Sequence, residues 1–139
     1  MKTLLLILFS LTCFRATAIA QAMDSLSYEP RVVSVQGIIE RDTFPGPPNY
    51  ESIKGGDEIE VYWILILTLP IYVKGTPGDD INASESNVTK VQLVVQPKQY
   101  NSYRNLIGHK VTVTGTLFHS ISGHHKTKVL ISVKTMAAG

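Results

Sequence analysis

The chain has 139 residues, 44% hydrophobic and 17% charged, with a formal net charge of +2; this is the make-up of one ordinary globular domain and excludes a disordered, fibrous or multidomain chain. Its only cysteine, Cys13, lies near the N-terminus, so the body of the chain is left without disulfides, thiolate nucleophiles or cysteine-ligated metals. Lys2 and Arg15 account for the whole net charge, and the rest lacks the cationic surplus that gives nucleic-acid affinity.

Residues 1–20 read as a secretory signal peptide: Lys2, an apolar run from Leu4 to Phe14, and small residues in A-x-A register at Ala18 and Ala20. The run is too short to span a bilayer. Cleavage is expected after Ala20, with Ala22 as second choice, leaving residues 21–139 as a single periplasmic or secreted domain. Ser10, Leu11 and Thr12 do not make a lipoprotein signal of Cys13. Charge is divided along the chain. Residues 21–86 hold all 11 acidic residues and 4 basic ones, and residues 87–139 hold 7 basic ones. Either the halves face each other across strands or the domain has an acidic and a basic pole.

Every strong pattern in the chain has period two. Arg31 to Arg41 alternates Val33, Val35 and Ile39 around Gly37, a strand whose glycine permits a bend. Glu58 to Val73 begins by alternating and becomes continuously apolar, as a long central strand covered on both faces would; Pro70 is expected to end or bulge it. Lys74 to Asn87 is a loop by composition, and Val88 to Val95 a third strand. Pro97, Tyr100, Tyr103, Leu106 and Gly108 predict a short helix near 98–106. Lys110–Ser120 and Lys126–Thr135 read as two further strands joined in a hairpin. Pairing Leu117 with Val129 and Val113 with Val133 puts Gly115 opposite Ile131 and His119 opposite Thr127. The predicted core is Val33, Val35, Ile39, Val61, Leu65, Leu67, Leu93, Val111, Val113, Leu117, Val129, Ile131 and Val133. This order predicts an all-β fold with one short helix, namely a five-stranded OB-fold-like Greek-key barrel, with a β-sandwich as the alternative.

Two stretches carry recognition chemistry. Between the first two strands, Phe44-Pro45-Gly46-Pro47-Pro48-Asn49-Tyr50 is proline-stiffened, and an extended path there would let Phe44 and Tyr50 clamp a ligand at low entropic cost. In the last hairpin, His119, His124 and His125 surround one turn, with Thr127 facing His119. These residues form a second binding surface, or, if His119 and His125 converge diagonally, a zinc or copper site. No nucleophile–base pair, paired catalytic carboxylates, P-loop or dinucleotide motif is present, so no reaction is indicated.

The blocks TFPGPPNYESI, VQLV and GTLFHxxxGHHxTxVL, spread over about Val35 to Val133, resemble a family of small secreted bacterial proteins known only as a domain of unknown function. The resemblance implies a Gram-negative envelope protein and no activity. Tyr72, in place of a cysteine, and Lys126, in place of a third consecutive histidine, depart from that family's pattern and remove two potential metal ligands. The expectation is an exported, non-enzymatic binding module for an unknown protein or small ligand, without cofactor. A histidine-based zinc- or copper-binding periplasmic protein is the alternative, and a hydrolase a distant third.

Overall fold

Alternating Val33, Val35 and Ile39 build the strand β2 (Val32–Pro45), which follows a short β1 (Ser25–Ser27) in a computed structural model that describes residues 25–139. The expected signal peptide over residues 1–20 lies outside the described residues. β3 (Ile59–Lys74) and β4 (Glu85–Val94) come next. Then follow α1 (Pro97–Tyr103), a single 3-10 turn (Arg104–Leu106), β5 (Lys110–His119) and β6 (Val129–Ala138). The strands form one six-stranded sheet in the order β1-β3-β2-β5-β6-β4, and β3 pairs with β4 as well. The neighbour relations β3-β2-β5-β6-β4 therefore return to β3. All pairings are antiparallel except β1 with β3 and β4 with β6.

The concave face is packed by the alternating residues. Ile39, Leu65, Val111, Val113, Leu117, Val129 and Ile131 are fully buried in one cluster. Two glycines let the sheet coil. A Cβ on Gly37 would lie 2.2 Å from the Ile66 carbonyl oxygen, and one on Gly115 2.2 Å from that of Ser132, closer than any side chain permits. α1 starts with Pro97 at its first position, where the missing N–H costs nothing. Gln99 pins it: its side chain accepts from Gln96 N–H at 3.0 Å and donates to the carbonyls of Val133 and Lys134 at 3.3 and 3.2 Å.

Several sequence expectations are corrected. Pro70 does not end β3; the strand runs on to Lys74, with an irregularity against β4 between Ile66 and Ile71. β4 begins at Glu85, inside the stretch expected as loop. The hairpin register is displaced: His119 faces Val129, Leu117 faces Ile131 and Gly115 faces Val133. Lys126 and Thr127 are engaged elsewhere and cannot join the ladder, so β6 starts only at Val129. A bulge at Thr114/Gly115 then sets Val113 opposite Met136, which enters the core. Of the predicted core only Val61 fails, at 39% exposed. Pairing of β3 with β4 ends at Trp63 and Leu93, so Val61 has a neighbouring strand on one side alone. Tyr28, outside any alternating pattern, is buried beside Leu117 and donates its hydroxyl to the Ala83 carbonyl at 2.8 Å.

Truncating Leu117, Ile131 or Met136 to alanine should each cost about 2–5 kcal/mol in denaturant unfolding, as buried large-to-small changes do. Met136→Ala is the diagnostic one, because only the bulged register buries that side chain.

Candidate functional site

The proline-rich stretch does not run extended. Phe44 and Pro45 complete β2, and the chain then turns back, with Tyr50 N–H donating to the Gly46 carbonyl at 2.9 Å and Glu58 N–H to that of Pro47 at 2.8 Å. The cause is Asp57, only 6% exposed. Its Oδ1 accepts from the backbone N–H and side-chain amide of Asn49 at 3.0 and 3.1 Å, and its Oδ2 from the N–H groups of Glu51 and Ser52 at 2.8 Å each. Four donors around one carboxylate wrap the loop and, led by the Ser52 and Glu51 bonds, hold its pKa below the usual range. Pro47, Pro48 and Asn49 are thus turn formers. Tyr50 takes φ = 61°, a left-handed conformation that bulky residues rarely adopt, and its ring meets Gly123, where a Cβ would lie 3.0 Å away.

The hairpin residues 120–128 fold over the convex face of the sheet, held by Gln92, 3% exposed on β4. Its Nε2 donates to the His124 carbonyl at 3.1 Å, its Oε1 accepts from Lys126 N–H at 2.6 Å, and its own N–H donates to Thr127 Oγ1 at 2.9 Å. Thr127 passes its hydroxyl proton to the Val129 carbonyl at 2.7 Å. Ile64 and Leu130, flanking Gln92 in the ladder, are buried on this face.

The two loops meet at Glu60. Its Oε1 accepts from His124 Nδ1, and its Oε2 lies 3.0 Å from Lys126 Nζ. Lys126 Nζ also donates to the carbonyls of Pro45 and Gly123 at 2.9 and 2.7 Å and sits 5.0 Å from the Tyr50 ring centre and 5.9 Å from that of Phe44. With Nδ1 turned to the carboxylate, His124 directs Nε2 at the Tyr50 hydroxyl, 3.1 Å away. The Tyr50 and His124 rings pack edge to face at 5.3 Å. Burial works to raise the Glu60 pKa, but the bonds and charges of Lys126 and His124 outweigh it and the net shift is downward. Burial, then the Glu60 charge, pushes the Tyr62 hydroxyl up.

The structure therefore joins Phe44, Tyr50 and His124 with Glu60, Tyr62 and Lys126, and sends the other two histidines elsewhere. His119 contacts Glu85 Oε1 at 3.0 Å and the Ser120 carbonyl at 3.1 Å, with Tyr28 edge-on at 6.2 Å. The His119 bond is the main reason the Glu85 pKa is low, and burial raises the Tyr28 pKa to about 12, with the Glu85 charge contributing. His125 accepts from Ile121 N–H at 2.9 Å through Nδ1 and lies against Phe118; burial, then the neighbouring His124, lowers its pKa. The diagonal approach of His119 to His125 depended on pairing His119 with Thr127, and His119 pairs with Val129 instead. Among the described residues no group of three or more His, Cys, Asp or Glu side chains is placed to hold a metal ion. Glu60 and Gln92 escaped the sequence reading because each belongs to a strand whose alternation marks only the opposite face.

Beside this cluster, between β3, the end of β4, α1 and the hairpin, lies an open groove of about 350 Å³ lined by Tyr62, Trp63, Gln92, Tyr100, His124 and His125 among others.

Residues 90–137 match the family model described as a domain of unknown function (DUF4431). The matched stretch carries Gln92, Tyr100, the hairpin and β6, and excludes Glu60 and the proline-rich loop. No curated protein and no solved structure matches the chain.

Gln92→Leu should cost about 1–3 kcal/mol by taking from Lys126 N–H and the His124 carbonyl their part-buried partners, and hydrogen exchange should show faster opening of the hairpin. Stability should fall on acidification in two limbs. The depressed His125 pKa makes the unfolded chain take up its proton first as pH drops through about 6.5. The depressed carboxylates of Asp57, Glu60 and Glu85 do the same from about 4 downward. His125→Asn should remove the upper limb alone in melts across pH. Zinc or copper at neutral pH should change the melting temperature little, since His124 and His119 are committed to Glu60 and Glu85, whereas His119→Ala should lower it with or without metal.

Proposed function

We propose that the chain is an exported, non-enzymatic binding module on a five-stranded OB-like barrel, which takes a protein or small ligand in the groove between β3, the end of β4, α1 and the β5–β6 hairpin. Support for the barrel comes from the ring of pairings β3-β2-β5-β6-β4 back to β3 and from a helix joining the third and fourth strands of that ring. In such barrels the face of the second and third strands, with the first–second and fourth–fifth loops, is where ligands bind; here these are β3, β4 and the two loops described. Support for export is the signal-like pattern of residues 1–20. Among the described residues no helix is long and apolar enough to cross a membrane.

The observation that carries the reading is the Glu60 junction. Two loops that connect different strands are fixed to each other beside an open groove, so the groove is formed before a ligand arrives and little ordering entropy is lost on binding. The test is capture from an envelope extract by the immobilised protein and by Val61→Lys, which blocks the lip of the groove at a half-exposed position. Mass spectrometry of the eluates should find a component retained by the unaltered protein and lost with the variant. Equal retention by both would remove the groove from consideration.

A further inference from the structure

We propose that the groove takes a neutral glycan, with Tyr100 as its stacking platform and Trp63 behind it; this rests on the groove being the binding site. Three observations carry it. First, none of the groove-lining residues is Asp, Glu, Lys or Arg, and the adjacent Glu60 and Lys126 neutralise one another. A phosphodiester or an acidic peptide would find no counter-charge there, so the ligand is uncharged.

Second, the groove holds donors that lack acceptors. The Trp63 side chain is buried, and its Nε1–H has no hydrogen-bond partner among the described residues. His125 uses Nδ1 to accept from Ile121, so its proton sits on Nε2, for which no partner is recorded among the described residues. A buried donor such as Trp63 Nε1–H asks for an acceptor, His125 Nε2–H is open to one, and a ligand rich in neutral oxygens supplies it. Third, Tyr100 lies over Trp63 with ring centres 4.6 Å apart and planes inclined by 32°, while remaining 42% exposed. The C–H bonds on one side of a pyranose ring form an apolar, weakly positive face that lies on the negative face of an aromatic ring, while its hydroxyl, ring and acetamide oxygens meet the donors. Apolar lining, few placed polar groups and the observed volume suit one short stretch of sugar rings.

Trp63 is the chain's only tryptophan, so intrinsic emission reads this groove alone. The probes are chitotetraose, cellotetraose and maltotetraose, with oligothymidine and a neutral alanine–valine heptapeptide as comparisons. At least one glycan should shift Trp63 emission saturably. Tyr100→Ala should weaken that binding about tenfold, the loss of one stacking contact, at an unchanged melting temperature. Trp63→Phe, followed by calorimetry, should weaken it by a similar factor while keeping a ring in place. No emission change with any of the three glycans would overturn the proposal, as would undiminished binding by Tyr100→Ala. Saturable binding of the peptide or oligothymidine in place of a glycan would overturn the ligand class and leave the groove standing as a site; silence from all five probes beside groove-dependent capture from extract would separate the two readings in the same way.

Discussion

One carboxylate holds two distant loops together at one end of the molecule. Glu60 stands at the start of β3, where that strand has lost its β4 neighbour, and reaches outward to a histidine and a lysine delivered by a loop more than sixty residues later. Removing a carboxylate from water is costly unless its partners restore what hydration gave. Lys126 and His124 do so, and Lys126 is in turn surrounded by carbonyls and aromatic faces. The Tyr50 conformation and the close approach of Gly123 make sense only with this junction in place.

The junction also explains the uneven distribution of charge. An acidic first half and a basic second half suggested either opposing strands or two poles. Glu60 meets Lys126, and Glu85 meets Lys128 and the ring of His119. Each of these contacts runs from the strands of the first half to the last hairpin. Charge here fastens a loop onto the outside of a sheet whose inside is held by apolar packing. Asp57, through a carboxylate ringed by N–H donors, and Gln92, through a neutral amide, complete that fastening, one for each loop.

How much of this the sequence discloses follows from its range. Period-two alternation is local, so Val33, Val35, Ile39, Leu65 and Leu117 could be assigned to a core face, and the helix after Pro97 to its place. Register is not local: one extra residue at Thr114/Gly115 brings in Met136, and no count of alternating positions reveals it. Phe44, Tyr50 and His124 stand out in the sequence because proline stiffness and clustered imidazoles are visible in a short window. Their meeting does not, because it runs through Glu60 and Lys126, ordinary charged residues until folding sets them side by side. His119 and His125 show the converse, since proximity in sequence suggested a shared site and the strand geometry turned them to separate partners.

The placement of β1 bears on how the molecule is presented. Ser25, Leu26 and Ser27 lie parallel to Tyr72, Val73 and Lys74 at the far end of β3, whereas the groove is built on Val61 to Trp63 of the same strand. Along a strand that separation is roughly 35 Å. The edge that β1 adds to β3 is therefore set well apart from the groove, and a probe or tag placed on β1 would leave the groove uncovered.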